Sequence, residues 1–240
     1  MKGRIIHIDR EDSISQANDA LRTLSSCGWD VELQEGFNRD SVKEYVSQNG
    51  YKVMSGSRLH DFMQESEPKF WTKVACLMNN VETWIEAVTT GQPQAFFEHD
   101  AIGVNEPLWN RLNQVEDFCF LSMAYAWKSP TTLAGKWPPF ARRMGEECDL
   151  SIANPLINDF PFDSPLRYRH GTSYQGALLP PGTAAYIITP KGAEKLLEAL
   201  ETQGMEQSDF IINSNNVKLQ YYSPSLCRYN KVNLSTSNYE

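Results

Sequence analysis

The chain has 240 residues, enough for one full α/β domain with a sizeable core, whereas two independent domains would each be small. With 41% apolar and 22% charged residues it is too apolar for a disordered chain and too mixed for a fibrous one. A formal net charge of -8 argues against a broad nonspecific grip on nucleic acid and leaves room only for a local basic groove.

The start, MKGRIIHIDRED, alternates charge with a few aliphatics instead of showing a signal-peptide core. No apolar run approaches the roughly 18 residues that a membrane helix needs, so no membrane span and a cytoplasmic location are expected. Residues Arg4-Ile5-Ile6-His7-Ile8 run straight into Asp9-Arg10, the pattern of an inner strand that ends at a functional edge. A serine-capped helix is predicted over 13–26, stopping near Gly28. Val31 and Leu33 then alternate with polar residues, and 51–54 reads as another short strand. The order is βαβ-like, which predicts an α/β fold with a mainly parallel sheet covered by helices.

The clearest element spans 70–88, where Phe70, Val74, Leu77, Met78, Val81 and Trp84 recur at helical spacing and form a stripe that should lie on the sheet. Gly91-Gln92-Pro93 ends it, and Ala95-Phe96-Phe97 forms a brief buried strand delivering Glu98-His99-Asp100 to its carboxyl end. Open α/β sheets bind ligands at that edge. A further strand is predicted over 118–121. From 128 to 181 the chain turns irregular, rich in proline and aromatic residues, with basic residues Arg142, Arg143, Arg167 and Arg169, and is read as a binding loop or an insert. Regular patterning resumes with a strand at 185–189, a helix from Pro190 to about 202 and a strand at 217–222. Cys27, Cys76, Cys119, Cys148 and Cys227 are odd in number and scattered, which predicts free thiols.

Glu98 and Asp100 could hold a divalent cation against a diphosphate, because hard oxygen ligands suit Mg²⁺ or Mn²⁺. Spacing alone does not select them, since acidic pairs two residues apart occur five times in the chain. Three of these read as solvated surface; Asp9/Glu11, which also follows a strand, is a real competitor.

The helix segment Ala-Cys-Leu-Met-Asn-Asn-Val-Glu-Thr-Trp, the strand ending in Glu98-His99-Asp100, and the block Gly-Thr-Ala-Ala-Tyr-Ile-Ile-Thr-Pro-Lys-Gly-Ala from Gly182 follow one another in an order that resembles glycosyltransferase family 25, the lipopolysaccharide-biosynthesis and collagen galactosyltransferase group. The resembling blocks cover about a third of the chain, in the family's order along nearly all of it. The resemblance implies a single GT-A-type (Rossmann-like) domain over 1–240, with 128–181 on the acceptor side. It further implies a nucleotide-sugar donor, expected to be a UDP-sugar, and inverting transfer of a hexose to a glycan or other hydroxyl acceptor, supported by Mn²⁺ or Mg²⁺.

The family's Glu-Asp-Asp triplet maps onto Glu98, His99 and Asp100, so histidine replaces the middle carboxylate. By resemblance Asp100 is the principal metal ligand, Glu98 lies near the donor ribose or a metal-bound water, and His99 either ligates the metal or lines the site. Asp209 maps onto the position of the base, with Glu206 as substitute; a helix cap is its plainer role. Gly182 and Thr183 resemble a donor-side turn, and Arg228 lies in a tail block where its charge could offset phosphate. Arg10 is close enough to the first strand to reach a phosphate, and Trp137 is the candidate for stacking on an acceptor sugar. Tyr186 reads as core. Two rival functions are kept: a DNA glycosyltransferase that uses the arginine cluster, with DNA as a disfavoured partner, and a noncatalytic sugar- or nucleotide-binding module.

Overall fold

The computed structural model describes residues 1–121, 156–157, 183–222 and 226–229. In chain order the first elements are β1 (Lys2–His7), α1 (Glu11–Ser26), β2 (Asp30–Glu35), α2 (Ser41–Asn49), α3 (Arg58–Glu65) and α4 (Glu67–Thr90). These are followed by β3 (Gln94–Glu98), β4 (Ala101–Gly103), α5 (Trp109–Leu112), β5 (Phe118–Phe120) and β6 (Leu156–Ile157). The last are β7 (Ala185–Ile188), α6 (Pro190–Gln203), α7 (Ser208–Ile211), β8 (Leu219–Tyr222) and β9 (Cys227–Tyr229).

A seven-stranded sheet has the order β2-β1-β3-β7-β5-β8-β6, and β4 pairs with β9 in a separate ribbon. Strands β1, β2, β3, β5 and β8 share one direction, and β7 and β6 run against them. The expected mainly parallel α/β architecture is therefore present, with an antiparallel strand set into its middle. Alternation along the inner strands feeds two cores. Ile6, Phe96, Phe118 and Tyr186 face α4, whereas Ile5, Phe97, Cys119 and Ile187 pack on the other side with Ala17, Ala20 and Leu24 of α1.

Helix α4 forms where its apolar stripe requires it and is longer than the stripe. The Ser66 hydroxyl accepts from the Lys69 N–H, Pro68 occupies the first turn, and Gly91 ends the helix with φ 64°. Helix α1 starts earlier than predicted, and its N-cap position is held by Arg10 without a side-chain cap. The serine meant to cap it, Ser13, is instead buried and accepts the Ile8 N–H at 3.1 Å. The strand predicted at 51–54 reduces to a single bridge between Val53 and Met205, because the segment pairs with a chain turn and not with a sheet edge. Most of 128–181 lies outside the described residues, as does Cys148; Cys27, Cys76, Cys119 and Cys227 are free thiols. Among the described residues no helix is long and apolar enough to cross a membrane.

Candidate functional site

From β1 the chain passes through α1 to β2 on one side, while β3 lies against the other side of β1, so the sheet reverses its order between β1 and β3. Crevices beyond the carboxyl ends of strands at such a reversal are the usual ligand sites of open α/β sheets. A cavity of about 250 Å³ opens there. Its walls come from the β1–α1 turn (Ile8, Asp9, Arg10), the loop after β2 (Phe37 to Asp40), one face of α4 and the end of β3.

The loop after β2 is held by α4. Asn79 accepts the Phe37 N–H at 2.7 Å and donates to the Phe37 carbonyl at 3.3 Å. Such closeness needs a glycine: a Cβ on Gly36 would lie 2.5 Å from Ile6 and 2.7 Å from the Asn79 oxygen. Next along α4, Asn80 is 1% exposed; it donates to the Cys76 carbonyl at 2.8 Å and accepts from the Tyr186 hydroxyl at 2.7 Å. Trp84 Nε1 in turn donates to Tyr186 at 3.2 Å. Tyr186 is thus core, as expected, and the two asparagines serve different purposes. One shapes the cavity wall; the other satisfies a buried polar chain.

Glu98 and His99 line the cavity, together with His7 from β1 and Asp9, the first member of the competing acidic pair. Asp100 is 5% exposed, sits in the turn into β4, and is not among the cavity-lining residues. Burial, together with the nearby His7 and Arg10, holds the His99 imidazole below its usual pKa against the opposing pull of Asp12. Its Nε2 is buried and has no hydrogen-bond partner among the described residues; the same holds for Nδ1 of His7. Arg10 reaches the cavity but directs Nε and Nη2 at Asp12, at 3.1 and 2.7 Å, and this paired contact lowers the Asp12 pKa. Arg39, at the rim, makes no ion pair among the described residues.

Thr183 and Asp209 come together beside this cavity. Thr183 donates to Asp209 Oδ1 at 3.0 Å, and Gln207 donates to Oδ2 at 3.3 Å. Burial raises the Asp209 pKa, against the lowering effects of the Lys73 charge and these two hydrogen bonds. The link to the cavity is Cys76, which lines it and lies within electrostatic reach of Lys73, Glu98 and Asp209; burial pushes its thiol up to about 11. Glu206 is committed elsewhere. It is 1% exposed and accepts the N–H groups of Arg58 and Leu59 at 2.8 and 3.1 Å, which caps α3 from a distant part of the chain and leaves it no role as a base. Arg228 is exposed on β9 opposite Ile102 and does not line the cavity. Gly182, Trp137, Arg142, Arg143, Arg167 and Arg169 lie outside the described residues.

The fit of the site to a divalent cation is partial in a specific way. Among the described residues no three His, Cys, Asp or Glu side chains are grouped to hold a metal ion. Glu98 and His99 do reach the cavity, and His99 carries an unsatisfied ring nitrogen. Two donors fit a cation shared with phosphate oxygens and water, the common arrangement at nucleotide sites, and do not fit an all-protein cage. His7, Phe37, Lys73 and Cys76 belong to the site without having been singled out from sequence; the position of His7 one residue past the Ile5-Ile6 pair was the one signal available. Compared with known proteins, the chain matches no family model and no curated protein.

Proposed function

We propose that this chain is a GT-A-type glycosyltransferase, similar to family 25, that moves a hexose from a UDP-sugar to a hydroxyl acceptor with inversion. The observation that carries the reading is the cavity at the β1/β3 reversal, which gathers Glu98, His99, Asp9 and Arg10 with an aromatic wall at Phe37 and lies beside the Thr183–Asp209 pair. Phe37 and Ile6 offer an apolar face to a nucleobase, and Arg10 and Arg39 offer charge to phosphates. Glu98 and His99, with Asp100 in the adjoining turn, would hold a Mn²⁺ or Mg²⁺ ion, which offsets the charge of the departing diphosphate.

Inverting transfer needs a base on the acceptor side that takes the hydroxyl proton as oxygen attacks the anomeric carbon. Asp209 suits that role. Burial raises its proton affinity, while Thr183 and Gln207 fix the orientation of both carboxylate oxygens. The Lys73 charge opposes that rise.

Incubation with a panel of nucleotide sugars and Mn²⁺ is expected to release free sugar slowly, and Asp209→Asn should lower transfer to an acceptor by about 100-fold or more with nucleotide affinity retained. Nucleotide binding with neither hydrolysis nor transfer would favour the noncatalytic module. Salt-sensitive retention of duplex DNA would favour the DNA glycosyltransferase.

A further inference from the structure

Away from the cavity, the β4–β9 ribbon rests on the last turn of α1. The Gly103 N–H donates to the Thr23 hydroxyl at 3.1 Å, and a Cβ on Gly103 would lie 2.9 Å from the Thr23 carbonyl oxygen and 3.0 Å from the Leu24 Cα. The side on which Gly103 would carry a side chain therefore faces α1, at an approach that only glycine permits. Gly103 lies directly opposite Cys227 in the ribbon. Residues paired across an antiparallel ladder project to the same face, so the Cys227 thiol is directed at the same turn of α1. That turn ends in a second cysteine. Cys27 caps α1 with its N–H bonded to the Thr23 and Leu24 carbonyls, and a spacing of four and three residues sets it on the face that Thr23 and Leu24 present to the ribbon. Both cysteines belong to the core on the α1 side of the sheet, with Leu24 and Leu226, whereas the cavity wall at Ile6, Ala75 and Phe96 belongs to the α4 side. Cys227 is fully buried, Cys27 is partly buried, and both are free thiols. Burial raises the Cys227 pKa, and Cys27 is near enough to raise it further.

We propose that Cys27 and Cys227 are a reversible redox pair, a modification site at which thiol–disulfide exchange with a small disulfide such as oxidised glutathione links α1 to the ribbon. Cys27 has the exposure and reacts first. Its thiolate attacks one sulfur of the reagent, the reagent's S–S bond breaks, and one glutathione leaves as a thiolate that takes a proton. The Cys227 thiolate then attacks the Cys27 sulfur of the mixed disulfide and expels the second glutathione. Two protein thiols are thereby oxidised to one disulfide, and one glutathione disulfide is reduced to two thiols. Cys227 needs no access to solvent, because its target is delivered on the neighbouring side chain. Both linked elements start at the candidate site, α1 directly after Arg10 and β4 directly after Asp100, so the bond ties together the two segments that lead away from it.

Incubation of the reduced, folded full chain with excess glutathione disulfide, an acid quench and non-reducing peptide mass mapping test this. The expected product is a Cys27–Cys227 link that dithiothreitol reverses. Because the bond closes most of the chain into one loop, the linked form should have a thermal midpoint higher by about 5 °C. Cys227→Ala should stop at Cys27 carrying one glutathione, and Cys27→Ala should slow modification of Cys227 at least about tenfold, since that thiol is buried. If Cys227→Ala lowers the midpoint of the reduced protein, Cys227→Val, which refills the space with an apolar side chain, replaces it in the same mapping. A parent chain that keeps glutathione on Cys27, leaves both thiols free, links either of them to a different cysteine, or melts at a lower temperature once linked would overturn the proposal. None of these readouts involves a nucleotide, so the transferase reading stands or falls separately.

Discussion

At the amino end of β5, Asp117 is surrounded by the charges of Lys191 and Lys195 and the N–H of Lys218, whereas at the carboxyl ends of β1 and β3 one ring nitrogen of each histidine, Nδ1 of His7 and Nε2 of His99, lacks a hydrogen-bond partner among the described residues. Asp117 Oδ2 accepts the Lys218 N–H at 2.9 Å and pairs with Lys195, and Lys191 lies 3.8 Å from Oδ1. Burial by itself would raise the Asp117 pKa; the hydrogen bonds from the Lys195 side chain and the Lys218 N–H and the charges of Lys195 and Lys191 outweigh it and hold the carboxyl below its ordinary value. Both places put ionisable groups at the rim of one sheet. What differs is charge: Asp117, although its Oδ1 accepts no hydrogen bond among the described residues, is matched by lysines of the chain itself and so holds the fold together, and groups not matched in this way are where something else can bind.

That contrast can be broken by substitution. The largest stability effect is expected for Asp117→Ala, which strips a buried acid from two lysines and a backbone N–H and should cost about 3 kcal/mol in urea unfolding, with nucleotide binding by the folded protein unchanged. Because the Asp117 pKa is depressed in the folded chain, its contribution is fully present above the ordinary carboxylate range and is lost as pH falls through and below that range. The parent and the variant should therefore converge in stability on acidification. Tyr186→Phe comes next. It leaves Trp84 Nε1 without an acceptor and Asn80 without a donor in a dry interior, a loss of about 2 kcal/mol by the same measurement. The smallest effect belongs to the cavity, where His99→Leu should change stability by less than about 1 kcal/mol or raise it, while removing donor hydrolysis. A large loss of stability in that variant would erase the distinction between the two rims.

Much of the framework is legible in the residues themselves. β1, β3 and β7 are short apolar runs because both of their faces are covered, and the α4 stripe is long enough to declare its period. Helices α2 and α3 each bury only two residues, too few to set a pattern, and the β4–β9 ribbon has three residues a side. For the site, Glu98 and His99 can be found from sequence because they follow a buried strand directly. The wall at Phe37 cannot, since it is brought in by Asn79 from 42 positions away, and the capping role of Glu206 depends on Arg58, 148 positions removed. Local pattern predicts elements, whereas polar partners distant in the chain decide which candidate acids are available for chemistry.

The twofold grip of Asn79 on the Phe37 backbone also ties the aromatic wall to a long, well-anchored helix more than to the strand from which it emerges. One side of the crevice is therefore built as a single slab, so a guest of the wrong thickness would have to break the Asn79 contacts in order to be admitted. The Asn79 carboxamide would then act as the gauge of what the pocket accepts.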